Sequence, residues 1–553
     1  MERPWLNSYP NGVNADIDIN KYDSVVDIFE QSIEQYPNHK AFTNFGKTLT
    51  YSQFEQATRS LASYLQQTLS LKKGDRIAIM IPNLLQNPVS IFAALRAGLT
   101  VVNTNPLYTA RELRHQLKDS GAKAIIVIEN FAHTVQEVVN DTDIEHIIIT
   151  KMGDLLDFPK SIVINFAVKY LKKMVPNYSL PNAIKFNDAL FEGGKRPLLT
   201  PSLNHQDIAF LQYTGGTTGV AKGAILTHKN MVANMLQASE WIKNDIKLGK
   251  EIIITALPLY HIFSLTANAL VFMESGAENV LITNPRDFNG FVKELKKTPF
   301  TAITGVNTLF TALINTPHFS EINFSKLKIT LGGGMSVQVA VAAQWKQITG
   351  CTLVEAYGLT ETSPAVCINP LNINQYNGSI GLPISSTYCR LIDKAGNIVS
   401  NGEAGELCVK GPQVMREYWN RPDETSNVLS DDGWLRTGDI AKMDGNGFFY
   451  IVDRIKDMIL VSGFNVYPNE IESVITEHPA VLECGVVGVI DEKRGEAVKA
   501  FVVLKDLSLT EKALLAYCKD NLTAYKVPGK IVFIKELPKT NVGKVLRREL
   551  HSL

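Results

Sequence analysis

The sequence predicts an α/β protein: a large N-terminal domain of parallel α/β sheets with a small β unit, followed by a small α+β C-terminal domain. Three observations lead there. Short β-rich runs alternate with helical stretches through the first third and again from Ile252 to Thr304, the rhythm of βαβ units whose strands are covered on both faces. From about Ile380 to Tyr450 glycine and proline punctuate short strands, as in an antiparallel unit. The 553 residues exceed what one simple core serves, so roughly three or four domains are expected.

The elements follow in order. Arg76-Ile-Ala-Ile-Met-Ile-Pro82 reads as a buried strand between Gly74-Asp75 and Pro82-Asn83. A helix from about Pro88 to Gly98 leads to the apolar run Thr100-Val-Val-Asn103. Arg111 to Lys118 reads as helix, and Ala122 to Ile128 as a third strand. In the β unit the turns fall at Gly381-Leu-Pro383, Gly402-Glu-Ala-Gly405, Gly411-Pro412 and Asp444-Gly-Asn-Gly447. Beyond Asp453-Arg454-Ile-Lys456-Asp457 come a helix (Ile471 to Glu477), strands (Glu483 to Val489 and Lys499 to Val503) and a helix (Leu509 to Asn521). This places a boundary near Lys456, with domains 1–455 and 456–553 and the β unit at about 380–450. The junction is charged and lacks a Gly-Ser tether, so a specific hinge is expected.

Composition narrows the function classes. Hydrophobic residues at 45% and charged residues at 20% exclude a disordered or fibrous chain. Lys plus Arg and Asp plus Glu both total 55, so no nucleic-acid partner is expected from a basic surplus. The six cysteines form no CxxC pair, which points to a reducing compartment without a disulfide framework. Met1 to Asn20 shows no signal peptide, and no apolar run approaches the roughly 18 residues of a membrane helix. A large soluble cytoplasmic enzyme is the expectation.

The strongest local signal is Tyr213-Thr-Gly-Gly-Thr-Thr-Gly-Val-Ala-Lys-Gly223. Gly215, Gly216 and Gly219 let the backbone curl and present N–H donors to phosphate oxygens. Thr214, Thr217 and Thr218 add hydroxyls, and Lys222 a mobile positive charge. Gly223 follows that lysine, so the stretch is not a Walker A loop. Together with five further motifs it resembles the phosphate loop of the adenylate-forming superfamily of acyl-CoA synthetases, amino-acid-activating domains and luciferases. Gly332-Gly333-Gly334-Met335 is similar to the adenine loop and Tyr357-Gly358-Leu-Thr360-Glu361-Thr362 to the second nucleotide motif. Trp434-Leu-Arg-Thr-Gly-Asp439 resembles the ribose motif, Asp453-Arg454-Ile-Lys456 the hinge, and Pro538-Lys-Thr-Asn-Val-Gly-Lys544 the C-terminal lysine motif.

The resemblance implies a role for each residue. Tyr357 stacks on adenine, Thr360 touches the α-phosphate, and Glu361 ligates Mg²⁺ on the ATP phosphates. Asp439 accepts from the ribose hydroxyls with Arg454 beside it. Lys544 contacts carboxylate and α-phosphate during adenylation, with Thr214, Glu361 and His261 completing the catalytic set. A mobile C-terminal domain then swings about Lys456, and the loop Ser462-Gly463-Phe464 guides the thiol of CoA. In isolation Glu361, Lys456 and Lys544 would each read as a solvated charge, and Tyr357 as a core residue.

For the acyl group, Pro258-Leu-Tyr-His261-Ile-Phe263 resembles the run that places a histidine beside the carboxylate. His261, Val306 and Gly334 are the pocket candidates. Ile303-Thr-Gly-Val-Asn-Thr-Leu-Phe310 could line an apolar tunnel, and equally could be strand-to-helix packing. Asp432 through Lys456 resembles the fatty acyl-CoA synthetase signature, departing at Arg436, where His is usual, and at Ile455, where a basic residue is usual. Those departures bear on acyl selectivity. Val461 to Glu472 and Asn105-Pro-Leu-Tyr-Thr109 are similar to bacterial long-chain fatty acid–CoA ligases. The expected activity is ATP-dependent formation of acyl-AMP and then acyl-CoA. A ligase for medium-chain or aryl acids, an acyl-AMP ligase loading a carrier protein, and a nonenzymatic fatty-acid binder are the rivals; the last has no need of Thr214, Glu361, Asp439, Arg454 and Lys544 together.

Ser161 to Val175 sets Asn165, Lys169, Lys172 and Lys173 on one helical stripe and leaves the remaining face apolar. Such a helix suits a bilayer interface, peripherally on the inner face of the cytoplasmic membrane, or equally packs on the domain core. A homodimer stays open.

Overall fold

Strands of isoleucine, valine and alanine that alternate with helices bury both of their faces, and here they do so twice. The computed structural model describes residues 2–214, 221–462, 464–491, 495–540 and 543–553. Among these residues the chain forms four β-sheets. In the first, Ile184–Lys185, His146–Thr150, Ala124–Ile128, Arg76–Met80, Thr100–Asn103 and Ile208–Thr214 lie side by side in parallel, and Lys222–Thr227 closes one edge antiparallel. In the second, the parallel strands are Lys40–Asn44, Glu278–Leu281, Ile252–Thr255, Ala302–Gly305, Ile329–Gly332 and Leu353–Gly358. Antiparallel strands border it at both edges. Every residue of Ala124–Ile128 is buried, as a doubly covered strand requires.

Helix starts carry local signals. Ser24, Thr50, Thr109 and Thr227 each cap a helix by accepting an N–H, with Asp27, Gln53, Glu112 and Asn230 returning the bond. The expected helices occupy Gln86–Arg96 and Ala110–Ser120, the latter ending on Gly121 in the left-handed conformation.

The small β unit is a four-stranded antiparallel sheet of Tyr388–Ile392, Gly405–Lys410, Leu435–Met443 and Phe449–Arg454. It thus begins later than expected, because Leu382–Pro383 joins the edge of the second parallel sheet instead. The smaller C-terminal domain follows. Its sheet contains Ile459–Val461, Phe464–Val466, Val481–Asp491, Gly495–Leu504 and Lys530–Phe533, flanked by Pro468–Glu477 and Glu511–Asn521 and ending in Arg547–Leu550. Its core of Ile471, Ile475, Val486, Ala500, Val502 and Leu514 is its own.

The stretch from Ser161 behaves differently from a core helix. Lys160–Phe166 is α-helical and continues as a wider turn through Ala167–Leu171. Asn165 and Val168 turn inward, Asn165 accepting the Gly153 N–H at 2.7 Å and Val168 buried, whereas Phe166 and Leu171 are 52% and 71% exposed. Much of the apolar face, including Ile162, Val163 and Tyr170, therefore looks outward. Among the described residues no helix is long and apolar enough to cross a membrane.

Candidate active site

The C-terminal ends of parallel strands are where an open α/β sheet leaves room for ligands. Thr214, Gly332 and Gly358 are each the last residue of their strands, and Val306 follows Ala302–Gly305. His261 follows the strand Ile252–Thr255 by a short loop and starts a helical turn, its Nδ1 accepting the Phe263 N–H at 3.3 Å.

Thr214 and Lys222 pair at the ends of two antiparallel strands, which flank the phosphate-loop sequence. Gly215, Gly216, Thr217, Thr218 and Gly219 lie outside the described residues, as does Gly463. The Lys222 ammonium pairs with the Glu424 carboxylate and lies 5.2 Å from the Tyr418 ring centroid. Tyr418 Oη donates to Glu361 Oε1 at 2.6 Å, and the Met415 N–H donates to the Glu361 carbonyl at 2.7 Å. Burial, then the Glu361 charge, raises the Tyr418 hydroxyl well above its ordinary range. Residues 414–425 thus strap this strand pair to Thr360–Thr362. Asp119 fastens the strap: its carboxylate accepts Tyr213 Oη at 2.7 Å and pairs with Arg421 at 2.6 Å.

The glycines have distinct reasons. Gly334 has φ +76°, a left-handed conformation that costs other residues strain. A Cβ on Gly333 would stand 3.0 Å from the Phe263 ring, and one on Gly358 would stand 2.0 Å from the Pro364 carbonyl oxygen. Gly358 is therefore required by the turn itself. Glu355 is buried behind this loop; its Oε2 accepts the Val337 N–H at 3.2 Å, and burial pushes its carboxyl up to about 7.

Asp439 and Arg454 face each other across neighbouring strands. Asp439 is only 2% exposed; its Oδ1 lies 3.0 Å from Arg454 Nε and its Oδ2 accepts Tyr357 Oη at 2.6 Å. Burial, then Asp439, raises the Tyr357 hydroxyl far above its usual range. The second nucleotide motif and the ribose motif are thereby one hydrogen-bonded unit. Arg436 is turned to Glu406, with Nε 2.9 Å from Oε2, while the Gly438 N–H donates to Oε1 at 3.2 Å. This departure braces the turn before Asp439.

Lys544 arrives from the C-terminal domain. Its loop closes through the Thr540 N–H on the Lys544 carbonyl at 2.7 Å, and Thr308 Oγ1 reaches the Gly543 carbonyl at 3.5 Å across the domains. Burial, then Arg454, depresses the Lys544 ammonium to about 8. Burial, then the Lys544 charge, depresses the His261 imidazole to about 4, so it is neutral at neutral pH. The run 303–310 divides. Val306 and Thr308 face Gly543, whereas Phe310 packs edge-on against Trp345 at 4.8 Å between centroids. Lys456 is exposed in the turn between Phe449–Arg454 and Ile459–Val461. Ser462 and Phe464 sit on the hairpin beyond it, with Phe464 stacked on Tyr525 at 4.7 Å inside the C-terminal domain.

Thr214, Glu361, Asp439, Arg454, His261 and Lys544 are thus gathered on one face, and Ser462 and Phe464 belong to another. Tyr418, Glu424, Asp119 and Glu355 were not among the residues expected from the sequence, and Thr308 was named only within the run 303–310. An aromatic pair before Asn-Arg-Pro at 418–422 was the one available hint.

Comparison with known proteins agrees in extent. Residues 29–419 match the AMP-binding enzyme family and residues 470–544 the AMP-binding enzyme C-terminal domain. The chain is 57% identical, over 100% of its length and 98% of the relative's, to the long-chain-fatty-acid–CoA ligase of Escherichia coli O6:H1. It is 39% identical, over 99% of its length and 98% of the relative's, to the long-chain-fatty-acid–CoA ligase of Bacillus subtilis. It superposes on the crystal structure of the anthranilate CoA ligase AuaEII in complex with anthranoyl-AMP with a TM-score of 0.86 at 25% identity, covering 97% and 98% of the two chains.

Proposed function

The chain belongs to the family of AMP-binding enzymes, and from that premise we propose that it is a long-chain fatty acid–CoA ligase. The reaction joins a fatty acid carboxylate to the α-phosphorus of ATP with loss of pyrophosphate. The thiol of CoA then attacks the acyl carbon and AMP leaves. The full-length 57% identity to a ligase of that name carries this reading.

The first step brings two anions together, and positioned charge is what it needs. Lys544 offers an ammonium to carboxylate and α-phosphate, and the neutral imidazole of His261 stands beside the carboxylate without adding charge. Thr214, Lys222 and Thr360 serve the phosphates, and Gly215, Gly216, Thr217, Thr218 and Gly219 belong to the same reading. Tyr357, with Gly332 to Gly334, holds adenine, and Asp439 with Arg454 holds ribose. Glu361 is a single hard carboxylate, and the described residues hold no cluster of three or more His, Cys, Asp or Glu able to bind a metal. That donor set fits Mg²⁺, which takes one or two carboxylates and otherwise phosphate and water oxygens. Bound with ATP, the ion would neutralise phosphate charge.

Val306, Gly334 and His261 border the acyl entry, and Ser462, Gly463 and Phe464 meet the thiol after the C-terminal domain turns about Lys456. Peripheral contact with lipid on the inner face of the cytoplasmic membrane belongs to this reading. The exposed Phe158, Ile162, Phe166 and Leu171 beside Lys169 and Lys172 support it, since apolar and basic groups on one helix suit an interface.

The test is AMP formation with Mg-ATP across saturated acids from acetate to stearate, with and without CoA. A CoA-dependent maximum at long chains is expected. Activity confined to short or aromatic acids, or adenylation without CoA-dependent turnover, would overturn the assignment in favour of an aryl or a carrier-loading ligase. Light scattering on the same preparation separates monomer from homodimer.

A further inference from the structure

Asp453 is fully buried at the last turn of the large domain, one residue before Arg454 and three before the hinge. Its own strand supplies one donor, the Arg454 N–H, at 2.7 Å from Oδ1. The other two donors come from beyond the hinge. The Asn469 N–H, in the first turn of Pro468–Glu477, donates to Oδ2 at 2.8 Å. Arg547 Nη1 lies 3.3 Å from Oδ1.

Arg547 is itself held firmly within the C-terminal domain. Its Nη2 and Nε donate to the Glu472 carboxylate at 2.8 and 3.1 Å, Nη1 lies 3.0 Å from Asp457, and Nη2 also meets Asn469. Burial pushes the Asp453 carboxyl up to about 6, while Arg547 and the Asn469 and Arg454 N–H groups hold it down against that burial. Arg547 follows Lys544 by three residues, and the intervening backbone is tied down by the Leu546 N–H on the Pro538 carbonyl at 2.8 Å.

The geometry follows from the position of the pivot. If the C-terminal domain turns about Lys456, Asp453 stays with its strand, while Asn469 and Arg547 leave with theirs. A buried carboxylate stripped of two donors is costly, so its contacts favour the docked arrangement over the turned one.

We infer that Asp453 is a positioning residue for the adenylation step, a latch whose carboxylate clasps Arg547 and the Asn469 N–H across the hinge and so seats Lys544 in the site. This rests on the two-step ligase reading above, with Lys456 as its pivot. Asp453 touches no reacting atom. The latch opens when the second step begins and must re-form before each new adenylation.

The experiment separates the half-reactions in the full-length protein. One arm measures pyrophosphate release from Mg-ATP and palmitate without CoA. The other measures palmitoyl-CoA formed from preformed palmitoyl-AMP and CoA. Asp453→Asn keeps the shape and removes the charge. It should slow the first arm by about tenfold or more while the second stays equal to or faster than in the unsubstituted protein, because the turned state is no longer opposed. Arg547→Lys keeps a charge but loses the fork that spans Asp453, Asp457 and Glu472, and should shift the arms in the same direction. It carries the test if Asp453→Asn does not fold. Equal losses in both arms, or no loss in either, would overturn the latch. Failure of the unsubstituted protein in both arms would instead overturn the ligase reading.

Discussion

Lys544 shows how one side chain can be legible in type and illegible in state. A lysine after Gly543 near the end of the chain marks the position, but its depressed ammonium comes from burial and then from Arg454, 90 residues away in sequence. Because kcat/KM reports the free enzyme, adenylation should hold steady below about pH 8 and fall about tenfold per unit above it. Docking lowers this pKa from 10.5 to about 8, so the docked arrangement binds fewer protons between those values. Rising pH through that window favours docking while disarming the lysine. A profile of kcat/KM for ATP checks this; Lys544→Ala should abolish adenylation, and with it the descending limb, yet spare thioester formation from acyl-AMP. Asp439 makes the complementary point: Gly438-Asp439 alone reads as a turn, and only the resemblance of Trp434 to Asp439 implied a ribose acceptor. Its 2.6 Å bond from Tyr357 and its facing of Arg454 are tertiary.

At the scale of elements, the helix Lys160–Phe166 and its continuation carry the clearest consequence. Amphipathicity alone left two fates for the apolar face, core or interface, because a sequence gives the stripe but not what it meets. In the fold Asn165 bonds Gly153 and Val168 is buried, while Phe166 and Leu171 point outward. Phe166→Asp with Leu171→Asp should reduce binding to anionic vesicles in a sedimentation assay. Stability should stay within about 0.5 kcal/mol per exposed site, since both side chains lie on the surface and Phe166 meets only the equally exposed Tyr170 ring. The strap at 414–425 left only the aromatic pair as a sign because its side chains pair with residues far along the chain, Tyr418 with Glu361 and Arg421 with Asp119. The rest is backbone bonding, Ile225 N–H to the Glu417 carbonyl at 2.9 Å and Arg416 N–H to the Ile225 carbonyl at 3.1 Å. Backbone pairing leaves no mark on residue type.

On the proposed reading, the large domain of the whole molecule holds the substrates and the small one delivers a charge. A fragment ending at Asp457 retains both parallel sheets and the antiparallel unit, and should bind ATP within a few-fold in calorimetry. Its acyl-AMP formation should drop by roughly 10²–10³, the usual loss when a preorganised charge is removed from a transition state. What the amino-acid sequence determined by itself is the list of chemical groups and the class of fold. Buried β-branched runs and capped helices are local, short-range choices; the phosphate loop declares itself by residue type, and the carboxylate and lysine only by the motifs around them. What only the tertiary structure decided is which groups meet: that Tyr357 and Asp439 are one unit, that Val306 faces the site while Phe310 enters the core, and that Asp453 answers to Arg547. Such meetings depend on strand order and domain docking, where burial and long-range charge act between residues that the chain keeps far apart.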